Sequence, residues 1–445
     1  MGAASRETRH GCPMTERLGL ASPPGLADHL RTFGPMPLPG GRSGGQPGPL
    51  VDEVARAGLR GRGGGWFPTH LKLRAVVESS ESRGRLSRTR QPLVIANGME
   101  GEPASSKDVV LLTSSPHLVL DGIEAAARTI GATDAFIAVH RGSPAIEVLE
   151  RAIAERPASG LPITLVTPPA RYVASEESAL SHWVGDGVAQ PVYPDRPFQK
   201  GAGGRPTLVQ NVETLAHLAL IARYGGAWFA EVGAPSAPGT TLVSLGGALG
   251  HMGVVEVPTG TPVKDLLGRA GGMTSPVRGF LTGGYGGGWV AADGFMSTPW
   301  DPDSVRAAGG VIGASILWAV GAEVCPLEEL DRITRWMAGE SAGQCGPCIF
   351  GLPALADDVH SLASRRSDAT RDVRLQRHLT LVTGRGGCKH PDGVARLVAT
   401  ALSAFPDEVA IHGDGRCSAH PGAGTHLPVP PVRVPVIDPS GRDFR

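Results

Sequence analysis

From Leu50 onward the sequence alternates between helix-period and strand-like segments, and this alternation admits few architectures. VDEVARAGL and THLKLRAVVES carry apolar residues at helical spacing on either side of a glycine-rich turn. PLVIAN is a compact apolar run ending at Asn97. LVLDGIEAAARTIG then reads as a helix, AFIAVH as a strand, AIEVLERAIAE as a helix and PITLVT as a strand. Parallel neighbours in a sheet need a crossover between them, so the pattern predicts an α/β layer with a largely parallel sheet.

The texture changes along the chain. Residues 1–48 end in GPMPLPGGRSGGQPGP and are expected to form a loosely held arm. The α/β domain is expected over 49–235, with 236–239 (SAPG) as a linker. Residues 240–325 give short strands, one helix and glycine turns, a small α+β module. Residues 326–412 read as a helical bundle through LEELDRITRWMAGES, PALADDVHSLASR and VARLVATALSAF. The tail, 413–445, is proline-rich and expected to be extended.

Composition excludes some roles. Lys plus Arg equals Asp plus Glu at 42 each, so no basic excess points to nucleic acid or to an anionic membrane. The first twenty residues lack the apolar region of a signal peptide, and the apolar stretch 311–324 is too short and too glycine-broken to span a bilayer. A cytoplasmic chain without a transmembrane segment is expected. Six cysteines are too few for a disulfide scaffold of this length.

Three polar segments stand out. In the first, Gly61, Arg62, Gly63, Gly64, Gly65, Trp66 and Phe67 precede a helix with Lys72 one turn in. Bare backbone amides at a helix start form a ready anion site. The loop is neither a Rossmann fingerprint, since Trp66 stands where the third glycine belongs, nor a Walker A loop. Its residues alone leave open a phosphate cradle or a tight turn with Arg62 in solvent. In the second, Asn97, Glu100 and Glu102 follow a buried strand, at the edge where α/β sheets collect ligands. In the third, Glu176 and Glu177 stand at a loop-to-helix junction, as acceptors for hydroxyls and amides or simply as helix caps.

Taken in order, GLRGRGGGWFPTHLK, NGMEGEPASSKD, YVASEESAL, RPTLVQNVETLAHL, ESAGQCGPC and Cys388 resemble the 51-kDa-type flavoprotein of NADH dehydrogenase, the NADH-oxidising chain of complex I and of related hydrogenases and formate dehydrogenases. The resemblance spans roughly residues 50–410. It implies an FMN-binding α/β domain over 49–235, a β-grasp-type SLBB module over 240–325 and a helical domain over 326–412 holding a [4Fe–4S] cluster. Gly61, Arg62, Gly63, Gly64, Lys72, Asn97, Glu100, Glu176, Glu177, Asn211 and Thr214 would surround FMN. Phe67, Glu102 and Glu177 would face NAD(P)H. Hydride would pass to the flavin and single electrons onward to a ferredoxin-like or thioredoxin-like electron-transfer partner, with no catalytic side chain required.

The sequence also departs from that family. Met99 replaces an aspartate, Gln210 an asparagine, Ser175 a glycine and Ala75 an aromatic, and Arg196 is the only cation near its segment. Ala342 stands where the first cluster cysteine belongs, leaving Cys345, Cys348 and Cys388 as metal ligands. Cys325, Cys417, Cys12, His390 or an exogenous ligand would complete a cluster. A three-ligand cluster, a Cys3His zinc site with His390, or no metal are the alternatives. Two further functions stay open: an FMN protein fed by a ferredoxin-type donor, and a non-catalytic scaffold.

Overall fold

The computed structural model describes residues 16–38, 40–43, 45–82, 91–157, 160–366, 368, 370–419, 426–431 and 444. Four strands, β1 (Leu93–Asn97), β2 (Asp134–Ala138), β3 (Ile163–Val166) and β4 (Thr207–Asn211), form a sheet in the order β3-β2-β1-β4. All three pairings are parallel. The helices Lys107–Ser114 and Pro116–Ile130 carry the chain from β1 to β2, and Ala145–Glu155 carries it from β2 to β3. The chain proceeds outward from β1 in one direction and then returns to place β4 on its other side. The strand order therefore switches between β1 and β4, and a crevice opens at their carboxyl ends. Register sets Asn97 opposite Asn211 at that edge.

Helices Pro116–Ile130 and Val212–Tyr224 press together so closely that a Cβ on Gly122 would lie 2.0 Å from the Leu215 carbonyl oxygen. Only glycine fits there. The expected loose arm is not what residues 16–38 form. Leu26–Phe33 is a helix, and His29 Nε2 lies 2.8 Å from the buried Asp121, which also pairs with Arg156 and Arg223. A buried carboxylate needs such partners, and it holds the segment to the domain.

The stretch expected to be a linker is instead paired, as strand β5 (Gly233–Ala234) against β6 (Ala237–Pro238). A second sheet follows, built from β7 (Thr240–Gly247), β8 (Gly253–Pro258), β9 (Val277–Thr282), β10 (Gly288–Ala291) and β11 (Ile316–Gly321) in the order β10-β9-β11-β7-β8. Only β11 and β7 run parallel.

Beyond it, Pro326–Gly339, Leu352–Ala363, Arg371–Val382, His390–Ala404 and Pro406–Gly413 pack around a shared apolar core. Pattern reading misses Arg371–Val382 because its buried apolar residues are only Leu375, Leu379 and Val382, a thin stripe on a polar helix. Most of 413–445 and Cys12 lie outside the described residues. Where the tail is described, it is docked: Leu427 N donates to Glu329 Oε2 at 3.0 Å. Among the described residues no helix is long and apolar enough to cross a membrane.

Candidate functional site

The crevice at the β1–β4 edge is a cavity of about 810 Å³. That is the size of pockets that enclose a cofactor-sized molecule, commonly about 300–1,000 Å³. Its floor is the 61–67 loop. Gly61 N donates to Phe67 O at 2.9 Å, closing the loop, and helix Thr69–Glu81 starts two residues later. A Cβ on Gly63 would meet Asn211 Cβ at 2.9 Å, whereas one on Gly65 would meet nothing within 4 Å. The loop thus packs on β4 on one side and bares its backbone to the cavity on the other. Trp66 takes φ +49°, the left-handed backbone usually left to glycine, with Nε1 donating to Gly313 O at 3.1 Å. A bulky residue held in that region marks a loop over-determined by its surroundings.

Arg62 and Thr214, expected around the ligand, do not line the cavity. The Arg62 guanidinium is wholly buried and donates to Pro238 O at 2.9 Å and Thr240 O at 3.1 Å, stacked 4.4 Å from the Trp66 ring. Arg62 N donates to Thr214 Oγ1 at 2.8 Å. Both residues brace the loop from behind, because the second sheet offers carbonyls that the guanidinium reaches before solvent.

The other expected residues do line it, several with their polar atoms already engaged. Asn97 Nδ2 donates to Ser175 O at 2.9 Å. Asn211 Oδ1 caps helix Val212–Tyr224 through Glu213 N at 3.0 Å, while its Nδ2 donates to Asp108 Oδ2 at 2.8 Å. Glu176 caps helix Glu177–Asp186 through the amides of Ser178 and Ala179. Lys72 Nζ bonds Glu177 Oε2 at 2.6 Å. Glu100 accepts from Asp108 N at 3.2 Å and Val109 N at 3.1 Å; burial, seconded by the Asp108 charge, pushes its carboxyl up to about 7.

Glu102, expected to face NAD(P)H, has both of its oxygens spent elsewhere. Oε1 accepts from Tyr172 Oη at 2.7 Å and Gly286 N at 3.2 Å, and Oε2 from Tyr285 N at 2.8 Å. It ties the β9–β10 turn to the first domain. Phe67 stays 55 % exposed at the cavity. Of the departures, Met99 and Ala75 line the wall, and Ser175 Oγ turns back onto Tyr172 O at 2.7 Å. Gln210 faces the cavity with a buried Oε1 that has no partner.

The sequence offers Arg196 as the lone cation nearby. The fold also brings Lys389 and Arg396 to the cavity from the helical region. No local signal could have placed them, since the contact crosses from one domain to another.

The three cysteines do gather. Cys348 lies in a π-helical turn, Pro347–Gly351, a local widening common at functional positions. Burial and the adjoining sulfurs of Cys345 and Cys388 push its thiol well above the usual range. Cys388 itself lines the cavity, as does His390. His390 Nε2 donates to Met337 O at 2.9 Å, which leaves Nδ1 a buried lone pair without a partner, and burial holds this imidazole down to about 4. Ala342 packs against an apolar cluster that includes Met99 and Leu180. Cys325 and Cys417, expected as spare cluster ligands, gather instead with Glu408 and His412.

Residues 54–220 match the family described as the Nuo51 FMN-binding domain, and residues 328–412 match the NADH-ubiquinone oxidoreductase-F iron-sulfur binding region. The chain is 31 % identical to the corresponding chain of the NADH-quinone oxidoreductase of Streptomyces coelicolor, over 85 % of this chain and 86 % of the relative. It is 26 % identical to HndC, a chain of the NADP-reducing hydrogenase of Solidesulfovibrio fructosivorans, over 84 % of this chain and 78 % of that one. A crystal structure of NAD+-reducing [NiFe]-hydrogenase in the H2-reduced state superposes with a TM-score of 0.74 at 27 % identity, covering 82 % of this chain and 62 % of the hydrogenase chain. This chain thus spans less than two thirds of that hydrogenase chain. With both family regions matched and a relative aligned across most of its length, the chain belongs to the Nuo51-type, FMN- and iron–sulfur-binding family of NADH-quinone oxidoreductase.

Proposed function

We infer that this chain is a flavin oxidoreductase that takes hydride from NAD(P)H onto FMN and passes single electrons to an iron–sulfur centre on Cys345, Cys348 and Cys388. One observation carries the reading: Cys388 and the 61–67 loop line the same cavity, so a flavin seat and a cluster ligand would border one space. When bound, FMN would supply the conversion of a two-electron donor into one-electron steps.

The residues present suit that group. The bare face at Gly65 gives a phosphate room beside the start of helix Thr69–Glu81, whose positive end favours an anion. The orphaned Gln210 Oε1 offers an acceptor to a ring N–H. Phe67 presents an exposed ring for stacking a nucleotide, and Arg196, Lys389 and Arg396 supply positive charge for a pyrophosphate. The Lys72–Glu177 pair holds both groups ready for exchange with ligand hydroxyls or phosphate.

The cluster site fits at three corners. Among the described residues no fourth thiol accompanies Cys345, Cys348 and Cys388, and His390 Nδ1 is the unused donor beside Cys388. Restoring the missing thiolate with Ala342→Cys is expected to raise iron toward about four per chain and to slow bleaching in air. Equal iron in both proteins would show that the fourth corner is already filled.

The five-stranded module is read as a β-grasp-type SLBB domain. Phe350, two residues past Cys348 and 74 % exposed, fits a docking face for a ferredoxin-like or thioredoxin-like electron-transfer partner. Free thiols at all five described cysteines suit a reducing, cytoplasmic setting.

An anaerobic visible spectrum tests the reading. Oxidised-flavin absorption that bleaches with NADH or NADPH is the expected result. Bleaching with dithionite but with neither nucleotide would overturn the NAD(P)H step and favour a ferredoxin-type donor, a reading that Ala75 on the cavity wall would support. A protein that takes up no FMN would overturn the whole assignment.

A further inference from the structure

We propose that the helical region carries a second metal site, a mononuclear zinc centre on Cys325, Glu408, His412 and Cys417, distinct from the Cys345–Cys348–Cys388 set. The four donor atoms all lie within 4.8 Å of one another. Cys325 Sγ is 3.4 Å from His412 Nε2, and His412 Nε2 is 3.2 Å from Glu408 Oε1. A tetrahedral zinc with Zn–S of about 2.3 Å and Zn–N or Zn–O of about 2.0–2.1 Å has S–N edges of about 3.5 Å and N–O edges of about 3.3 Å. Both separations match the edges of that tetrahedron.

The surroundings orient each donor. His412 Nδ1–H donates to Leu362 O at 3.1 Å, which fixes the tautomer and leaves the Nε2 lone pair toward the sulfur and the carboxylate. Cys325 is the N-cap residue of helix Pro326–Gly339, at the end of the helix whose positive dipole suits an anionic sulfur. Glu408 and His412 stand four apart on helix Pro406–Gly413 and so share one face. Ser418 N and Oγ and Arg278 Nη1, the last at 3.1 Å, hold the Glu408 carboxylate.

Charge and burial agree with a divalent ion. Two thiolates and a carboxylate against Zn²⁺ leave one negative charge, which Arg278 balances. Cys325, Glu408 and His412 are buried, and all four tetrahedral positions come from the protein, as in structural rather than catalytic zinc sites. Sulfur and imidazole donors select zinc over calcium or magnesium. The ion would clip the chain just after β11 to the last helix and the segment beyond it.

The test is metal content of the full chain, purified anaerobically from zinc- and iron-replete cells. About one zinc per chain is expected, with His412→Ala and Cys417→Ser each lowering it at least about tenfold at unchanged iron. Cys417→His, which keeps a ligand, retains zinc, and Cys348→Ser loses iron but keeps zinc. Should the variants misfold, cobalt(II) added to chelator-stripped wild type reads the same site: tetrahedral cobalt bands with thiolate charge transfer are expected. The proposal is overturned by wild type holding less than about a tenth of a zinc and giving no cobalt bands. It is equally overturned if zinc follows Cys348 rather than His412, or if peptide mapping finds Cys325 and Cys417 joined as a disulfide.

Discussion

Gly65→Asp should give a folded protein that has lost its flavin. Gly65 is the one residue of the loop whose added Cβ would enter open space, and it lacks the positive φ that would strain an L residue. A carboxylate there enters the cavity without disturbing the fold. At about 4 Å from a phosphate and an effective dielectric near 20, two like charges repel by about 4 kcal/mol. Screening through the open side of the cavity reduces this to about 2–4 kcal/mol, a roughly 30- to 1,000-fold weaker Kd for FMN. Gly65→Ala adds a methyl to empty space and should bind within about threefold of wild type. Quenching of flavin fluorescence by the apoprotein measures both, and a thermal melt checks folding. If Gly65→Asp binds FMN as tightly as Gly65→Ala does, the phosphate does not sit on this loop.

The elements of the first domain were legible because they are written locally. Each strand and crossover helix between Leu93 and Val166 has its own period and its own boundaries. The order of the segments also brought the glycine loop, Asn97 and Glu176 to one cavity. What was illegible is how each polar side chain is spent. An arginine inside a glycine loop looks like a phosphate ligand, but Arg62 is claimed by carbonyls of Pro238 and Thr240. Glu102 looks like a nucleotide contact, but it holds a turn nearly two hundred positions away. Arg396 and Lys389 reach the cavity only through the packing of one domain on another. Cys325 and Cys417 look like spare ligands for one cluster, whereas the fold pairs them with a histidine and a glutamate on a helix that the sequence pattern did not mark. Long-range partners decide these roles, and a single sequence has no period that encodes them.

The largest stability effect is expected at Glu213. This carboxylate is fully buried and accepts from Lys107 Nζ at 2.7 Å, Leu242 N at 2.9 Å and Thr241 Oγ1 at 3.1 Å, with Arg62 Nε at 4.0 Å. It is the shared counter-ion of two buried cations and the bond between the first domain and β7. Glu213→Gln keeps the volume and removes the charge, leaving Lys107 with Asp108 alone. Removing one partner of a buried ion pair costs about 3–5 kcal/mol, here expressed as a fall in Tm on the order of 10 °C. Because Asp108 also holds Asn211, FMN affinity should weaken as well. Adding Lys107→Met removes the stranded ammonium, so the double variant should lose less than the sum of the singles. Burial alone would raise the Glu213 carboxyl, but the Lys107 ammonium and the groups near it bring it down to about 2, below its ordinary 4.5. Its contribution is therefore complete above about pH 4.5 and is lost as pH falls through about 2. Glu213→Gln should flatten the acid limb of the stability profile in that window. Strictly additive losses, or a Glu213→Gln melt within a degree or two of wild type at neutral pH, would show that the two domains are joined by apolar packing and that this ion cluster contributes little.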